Sequence, residues 1–192
     1  MKPSITHILF STLIIFAMPV HANDYESHKD QIVQAENLIS NFQSALKSEL
    51  KKAIEEGGAE KAIVVCNEKA PLIAQTLSTP EGVSIGRTAL RVRNQNNLPD
   101  AWESEILNKF NKQKEEGATP EEMIAYKEDG SFKYMKAISM QPMCAMCHGE
   151  HIDEGLYAKI KEIYPHDTAI NYKLDDIRGA FVVSLPKEST SQ

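Results

Sequence analysis

The sequence has few cysteines, fewer basic than acidic residues and no long apolar run, and each of these shortages excludes a class of protein. It has three cysteines, so pairing in disulfides leaves one thiol unexplained. Its 21 basic residues against 27 acidic ones give a formal charge of −6, which excludes a general nucleic-acid binder. No apolar run reaches the roughly 20 residues that a membrane span needs. We therefore predict a single domain that binds no nucleic acid and has no membrane span.

The first 22 residues have the order of a secretory signal peptide. Lys2 supplies a positive charge, an apolar run follows from Ile8 to Val20, and Val20-His21-Ala22 offers small residues for cleavage. No cysteine follows the cleavage point, so a lipoprotein is not expected. We predict that residues 1–22 are removed and that the mature protein lies in the periplasm.

Apolar residues at three- and four-residue steps predict two helices at the start of the mature chain. The first runs from about Ser27 to Glu56 and stops at Gly57-Gly58. The second begins near Ala59, carries Cys66 and is ended by Pro80.

Strand-like alternation and helical periodicity share the rest of the chain. We predict strands over Val83–Val92 and Ile177–Leu185, a β-hairpin around Asp129-Gly130, and helices from Asp100 to Gly117 and from Leu156 to Ile163. The TPEE sequence at 119–122 also resembles a capping box, so a helix that begins there is an alternative to the hairpin. Together these elements predict an α+β domain over residues 23–186, followed by a polar tail, residues 187–192.

Cys144-Ala145-Met146-Cys147-His148 is a C-x-x-C-H motif. Two thiols at this spacing can each add to one vinyl group of the same porphyrin, and the next residue can supply an axial nitrogen to the iron. The motif therefore predicts one covalent c-type haem. Three alternatives remain open: a dithiol redox centre, a zinc site that also uses His151, and a structural disulfide.

The second axial ligand of the iron does not follow from spacing alone. The methionines beside the motif and His151 are too close to His148 in sequence to reach the opposite face of the haem. Cys66 is the odd thiol, although most free cysteines are simply small buried hydrophobes. The candidates that remain are Cys66, His166, His28, Met123 and Met135.

Four stretches of the chain are distinctive in combination. They are VVCNEKAP around Cys66, IGRTALRVRNQNNLPDAWE from Ile85, CAMCHG from Cys144, and YPHDTAINYKLDDIRGAFVVSLP from Tyr164. In this order they resemble the c-type haem proteins with a PAS-like fold, a family first described in cyanobacteria and widespread in bacterial periplasms. The resemblance implies a PAS-like antiparallel sheet flanked by long helices, with one haem.

The resemblance also implies roles for individual residues. Cys144 and Cys147 would be the attachment points, His148 the proximal ligand and Cys66, as a thiolate, the distal ligand. The chain departs from the family before its last strand, where Asn171 and Asp175 replace glycines that relatives commonly have. Because asparagine and aspartate tolerate left-handed backbone, we expect the turn to keep its shape.

Three arginines, Arg87, Arg91 and Arg93, follow one another at even spacing on the first predicted strand. Side chains at even spacing on a strand share a face, so the three would face the haem and pair with its propionates. Solvent-exposed charges on that strand are an equally good interpretation.

The predicted site favours redox chemistry over catalysis. A thiolate stabilises ferric iron, and two protein ligands leave no open position for a substrate, so we do not expect an enzyme. We predict electron transfer, or sensing of redox state or of a gas, with an unidentified redox or signalling protein as partner. The alternative is a helical-bundle cytochrome with an open iron site for gas binding or peroxidase-like chemistry.

Overall fold

The structure, a computed structural model, describes residues 28–119, 122–126 and 131–187. The expected signal peptide, the Asp129-Gly130 turn and residues 188–192 of the tail lie outside these ranges. Among the helices in the described ranges, none is both long and apolar enough to cross a membrane.

Helix α1, Lys29–Leu77, is divided into two halves by a pair of glycines. Gly58 has φ 68° and ψ −166°, a conformation open almost only to glycine, and Gly57 is also non-helical. The two predicted helices are therefore confirmed, with the break where the sequence placed it. The first half is the long amphipathic one, and its apolar face is buried at Ile32, Ile39 and Phe42.

The sheet has four antiparallel strands in the order β1-β4-β3-β2. They are β1 Ser84–Thr88, β2 Glu122–Tyr126, β3 Phe132–Ser139 and β4 Ile177–Leu185. The predicted α+β class and the hairpin of β2 with β3 are confirmed. The helical alternative for the segment that follows Thr119 is wrong, because Glu122 begins a strand.

The first predicted strand is shorter than its alternating pattern. The ladder with β4 ends at the pair Thr88↔Ala180. Beyond it, the amide of Val92 donates to the hydroxyl of Thr168, and the carbonyl of Val92 accepts from the Thr168 amide. The backbone groups of this segment are thus satisfied by a loop instead of a strand.

Each face of the sheet is covered by one helix. Helix α1 packs on one face, where Phe42 meets Phe181 edge to face at 5.9 Å between ring centres. Helix α2, Ala101–Glu115, packs on the other through Ile106, Leu107 and Phe110. It begins with a capping box in which Asp100 accepts from the Glu103 amide and the Glu103 side chain accepts from the Asp100 amide.

Two short helices lie between β3 and β4. Helix α3, Pro142–His148, carries the C-x-x-C-H motif, and helix α4, Glu154–Ile163, follows it. Ile63, in the second half of α1, packs with Leu156 and Ile160 of α4 in one cluster. This contact holds the Cys66-bearing half of α1 beside the motif helix.

Candidate cofactor-binding site

A cavity of about 330 Å³ lies where α1, α3 and the strands β1 and β4 meet. Its size falls in the range of small-molecule sites, about 300–1,000 Å³. The lining brings together the four predicted attachment and ligand residues, Cys66, Cys144, Cys147 and His148. Two different helices, α1 and α3, therefore supply these residues to one space.

Most of the remaining cavity wall is apolar. Helix α1 and strand β3 contribute Phe42, Leu50, Ile54, Ile63 and Ile138. Such a wall suits a flat apolar ring system and excludes water from the atoms at its centre.

The imidazole of His148 is fixed by a hydrogen bond to the backbone. Nδ1 lies 2.7 Å from the carbonyl oxygen of Ala169, so Nδ1 carries the proton and donates it. Burial, together with the positive charges of Arg178 and Arg93, holds the pKa of His148 well below its usual value. The ring is therefore neutral, and its Nε2 lone pair is available to a metal.

A buried ion pair is connected to the same imidazole through the backbone of Ala169. Arg93 and Asp167, with side chains 9% and 0% exposed, approach to 3.1 Å. The other oxygen of Asp167 accepts from the amide of Ala169 at 2.8 Å, and Ala169 in turn binds His148. Arg93 also donates to the carbonyl oxygen of Cys147, at 2.5 Å. A continuous set of polar contacts thus fixes the orientation of His148.

The three cysteines are half-buried free thiols in the structure. Burial raises the pKa of the Cys66 thiol, and the nearby charge of Arg87 opposes this effect. Burial also raises the pKa of Cys147. The thiols of Cys66 and Cys147 are therefore protonated near neutral pH until they form a bond to another atom.

Of the candidate distal ligands whose side chains are described, Cys66 is the one that lines the cavity. Met135 is buried in the cluster between the sheet and α2. His28 bonds Gln31 at the start of α1, and His166 borders a second, polar pocket. The side chain of Met123 lies outside the described residues.

The three predicted arginines do not share one face, and this part of the prediction is wrong. Because β1 ends at Thr88, only Arg87 lies on the strand. The guanidinium of Arg91 stacks 3.6 Å from the centre of the Tyr172 ring and donates to the Ile170 carbonyl. Arg87 and Arg93 line the cavity, and Arg91 is not among its lining residues.

Sequence reasoning missed Arg178, which also lines the cavity. Its Nη1 donates to the carbonyl oxygen of Arg91 at 3.3 Å, while its Nε is buried and has no hydrogen-bond partner among the described residues. A signal was present, since Arg178 is the one cation in the apolar sequence IRGAFVVSL of β4.

The turn that departs from the family's glycines keeps a left-handed backbone. Asn171 has φ 60° and Asp175 has φ 67°, as expected from their tolerance of this region. The amides of Asn171 and Tyr172 donate to the carbonyl oxygens of Gly149 and His148. The turn is thereby fixed to the end of the motif helix.

Within the described ranges, no three histidine, cysteine, aspartate or glutamate side chains are grouped so that they could hold a metal ion by themselves.

Residues 23–186 match the model of the Tll0287-like family. Among solved structures, the chain is similar to the crystal structure of the cyanobacterial heme-protein Tll0287, with a TM-score of 0.60. The two are 22% identical, and the likeness covers 86% of this chain and 98% of the other. At that identity the likeness shows a shared fold. None of the curated proteins matches the chain.

Proposed function

This chain belongs to the Tll0287-like family, and from that premise we propose that it is a periplasmic c-type cytochrome carrying one haem. The observation that carries the proposal is the cavity whose lining joins three thiols and a neutral histidine. The similar solved protein is itself described as a heme-protein.

The residues of the cavity fit a haem in three respects. Cys144 and Cys147 present the paired thiols that add across two vinyl groups, an addition that needs no oxidant. His148 offers Nε2 to the iron because Ala169 holds Nδ1. The Nε of Arg178 has no hydrogen-bond partner among the described residues, and one of the two haem carboxylates could supply it.

We further propose that Cys66 is the distal ligand, bound as a thiolate. It lines the cavity from α1, whereas His148 lines it from α3. Binding to iron would displace the proton that burial otherwise keeps on the thiol. The bound haem supplies one-electron exchange, and the protein fixes the axial ligands and excludes water.

With both axial positions filled by protein, the role is electron transfer or the sensing of redox state or of a gas, and not catalysis. A thiolate stabilises ferric iron and holds the reduction potential low. The PAS-like character implied by the resemblance suits sensing, in which loss of the Cys66 bond on reduction would be the signal. Either role needs a protein partner, for electrons or for the signal.

The helical-bundle alternative is wrong as a fold, because the chain contains a four-stranded antiparallel sheet. An iron with one open axial position is a separate chemical possibility, and the absorption spectrum described next tests it.

The test is the visible absorption spectrum of residues 23–192, produced in a periplasm with haem-attachment machinery, in the oxidised and reduced states. We expect a low-spin ferric spectrum with thiolate features that disappear in Cys66→Ala. His166→Ala is the matched control, since His166 does not line the cavity, and it should leave the spectrum unchanged.

A high-spin ferric spectrum indifferent to Cys66→Ala would contradict the ligand assignment and indicate an open iron. A colourless protein would contradict the haem proposal itself. Loss of covalent haem in Cys144→Ala and Cys147→Ala, shown by extraction of the pigment into acidified organic solvent, would establish the attachment points.

A further inference from the structure

Two arginines that line the cavity have no anion beside them in the part of the chain that the structure describes, and both side chains are half-buried. The Nε of Arg178 is buried and has no hydrogen-bond partner there. Within the described residues Arg87 forms no ion pair, and its guanidinium lies 5.4 Å from the centre of the Phe42 ring. A buried cation without a counter-ion is costly, so such groups in native proteins are paired or bind a charged ligand.

The other two arginines nearby are already partnered. Arg93 forms the buried ion pair with Asp167, which satisfies its charge. Arg91 lies over Tyr172, as Arg178 does at 5.2 Å, but the side chain of Arg91 is outside the lining of the cavity. Within the described part of the chain, Arg87 and Arg178 are therefore the cavity cations whose charge is left for a ligand.

We infer that Arg87 and Arg178 form the subsite for the two carboxylates of the haem, one guanidinium for each carboxylate. The inference rests on the proposed function, since it names the groups that hold the same cofactor. A guanidinium presents a planar pair of donors that matches a carboxylate, and the contact is charge-assisted. The two positive charges of the arginines would balance the two negative charges of the carboxylates.

The strands that carry the two arginines also leave room for the ligand. Strands β1 and β4 are paired, and Gly86, beside Arg87, lines the cavity. Gly179, beside Arg178, is packed against strand β1, where a Cβ atom would meet the Thr88 carbonyl oxygen. A Cβ atom placed on Gly86 would have no neighbouring atom within 4 Å, which marks open space next to Arg87. Burial lowers the pKa of both arginines, although each side chain keeps part of its surface exposed to solvent.

The other charged and titratable groups near this subsite are few, which makes a titration interpretable. They are the Arg93–Asp167 pair, the imidazole of His148, the thiol of Cys66, and the phenols of Tyr164 and Tyr172. Burial raises the pKa of Tyr164 to about 12, so this phenol does not titrate near neutral pH.

The experiment measures the reduction potential of the haem-loaded protein between pH 4 and pH 8, together with the resonance Raman bending bands of the haem carboxylates. An ionised carboxylate near the iron favours the ferric state, so the potential falls as the pH rises through the carboxylate's pKa. A neighbouring guanidinium lowers a carboxyl pKa by about 1–3 units. In the natural protein this fall should therefore lie at the acidic end of the range.

In Arg178→Gln and in Arg87→Gln we expect the fall to move to higher pH by at least about 1 unit, with a shift of one carboxylate band in each variant. Arg91→Gln removes the same charge from a residue outside the cavity lining. It should leave both the position of the fall and the bands unchanged.

A uniform offset of the potential with no change in its pH dependence or in the Raman bands would overturn the inference, because it would reveal only a nearby charge. For Arg87, a change confined to the iron–thiolate spectrum would assign it to Cys66 instead. If the glutamine variants lose the haem, Arg178→Lys and Arg87→Lys are used instead, because lysine keeps the charge but not the paired donors. The pH dependence of the reduction potential in these lysine variants then tests the inference. A colourless natural protein would overturn the proposed function as well, whereas a red protein with unaltered titrations would overturn the inference alone.

Discussion

At the scale of single residues, the orientation of His148 depends on contacts with residues outside the C-x-x-C-H motif. The carboxylate of Asp167 accepts from Arg93 on one oxygen and from the Ala169 amide on the other. Ala169 then fixes the imidazole of His148. A metal-binding histidine is usually oriented in this way by a group that does not itself touch the metal.

Replacing Asp167 with asparagine should strongly destabilise the protein. The change leaves the Arg93 guanidinium buried and unpaired, and removing one partner of a buried ion pair costs about 3–5 kcal/mol. Urea unfolding of the haem-loaded variant, followed by circular dichroism, measures the loss. Glu105→Gln breaks an exposed pair with Lys109 and should cost less than about 1 kcal/mol. Equal losses in the two variants would contradict the role of burial.

The arginines show where residue-level prediction fails. Even spacing placed Arg87, Arg91 and Arg93 on one face, which assumes that the strand continues. The strand ends at Thr88 because Val92 bonds to Thr168, a contact between distant parts of the chain. Arg178 was missed for the same reason, since its position at the cavity depends on which strand lies beside β1. Cys144, Cys147 and His148 needed no such information, because the spacing of the C-x-x-C-H motif itself carries the chemistry.

At the scale of elements, the glycine pair in α1 places the second half of the helix, and with it Cys66, at the cavity. The sequence located this break correctly, because two consecutive glycines stop a helix whatever packs around it. It also located α2, through the Asp100 cap, and β4. It did not reveal α3, because seven residues opened by a proline show no helical period.

Gly58→Ala should destabilise the protein by about 1–3 kcal/mol, because alanine is strained in the conformation that Gly58 adopts. The same substitution should weaken the thiolate features of the ferric spectrum, since the strain is relieved by moving the half-helix that carries Cys66. Thermal unfolding and visible spectroscopy measure the two effects.

Gly117→Ala is the matched control for this variant. Gly117 also has a positive φ, 81°, but it follows α2 on the other face of the sheet. We expect a comparable loss of stability with an unchanged spectrum. A spectrum altered equally by both substitutions would mean that general loosening, and not the position of α1, perturbs the iron.

At the scale of the whole molecule, the order of strands is what the sequence could not give. Strand β4 lies between β1 and β3, so the last strand of the domain occupies the interior of the sheet. Hydrophobic alternation identifies strands but not their neighbours, which are chosen by contacts between distant segments. The α+β class was predictable, and the resemblance implied that Cys66 and His148 meet, whereas the pairing of β1 with β4 beside them was not predictable.

The protein without haem should be locally, not globally, less stable. In a variant with both Cys144→Ala and Cys147→Ala, we expect faster amide hydrogen exchange in α3 and in the second half of α1, which meet across the cavity. Exchange in β3 and β4 should stay slow, because their ladder lies inside the sheet and both faces are covered. Uniform loss of protection across the sheet would show instead that the cofactor is needed for the entire fold.

The two helices that border the cavity also make the proposed iron a cross-link within the chain. His148 and the attachment cysteines are neighbours in sequence, but Cys66 lies about 80 residues earlier, so the bond from Cys66 to iron closes a long loop. In the chain-entropy description, a permanent link of that span restricts the unfolded chain by about 4.5 kcal/mol. If reduction breaks the iron–thiolate bond, that restriction is lost with a single electron. The ferric protein would then resist unfolding, and proteases that act on unfolded chains, more than its ferrous form.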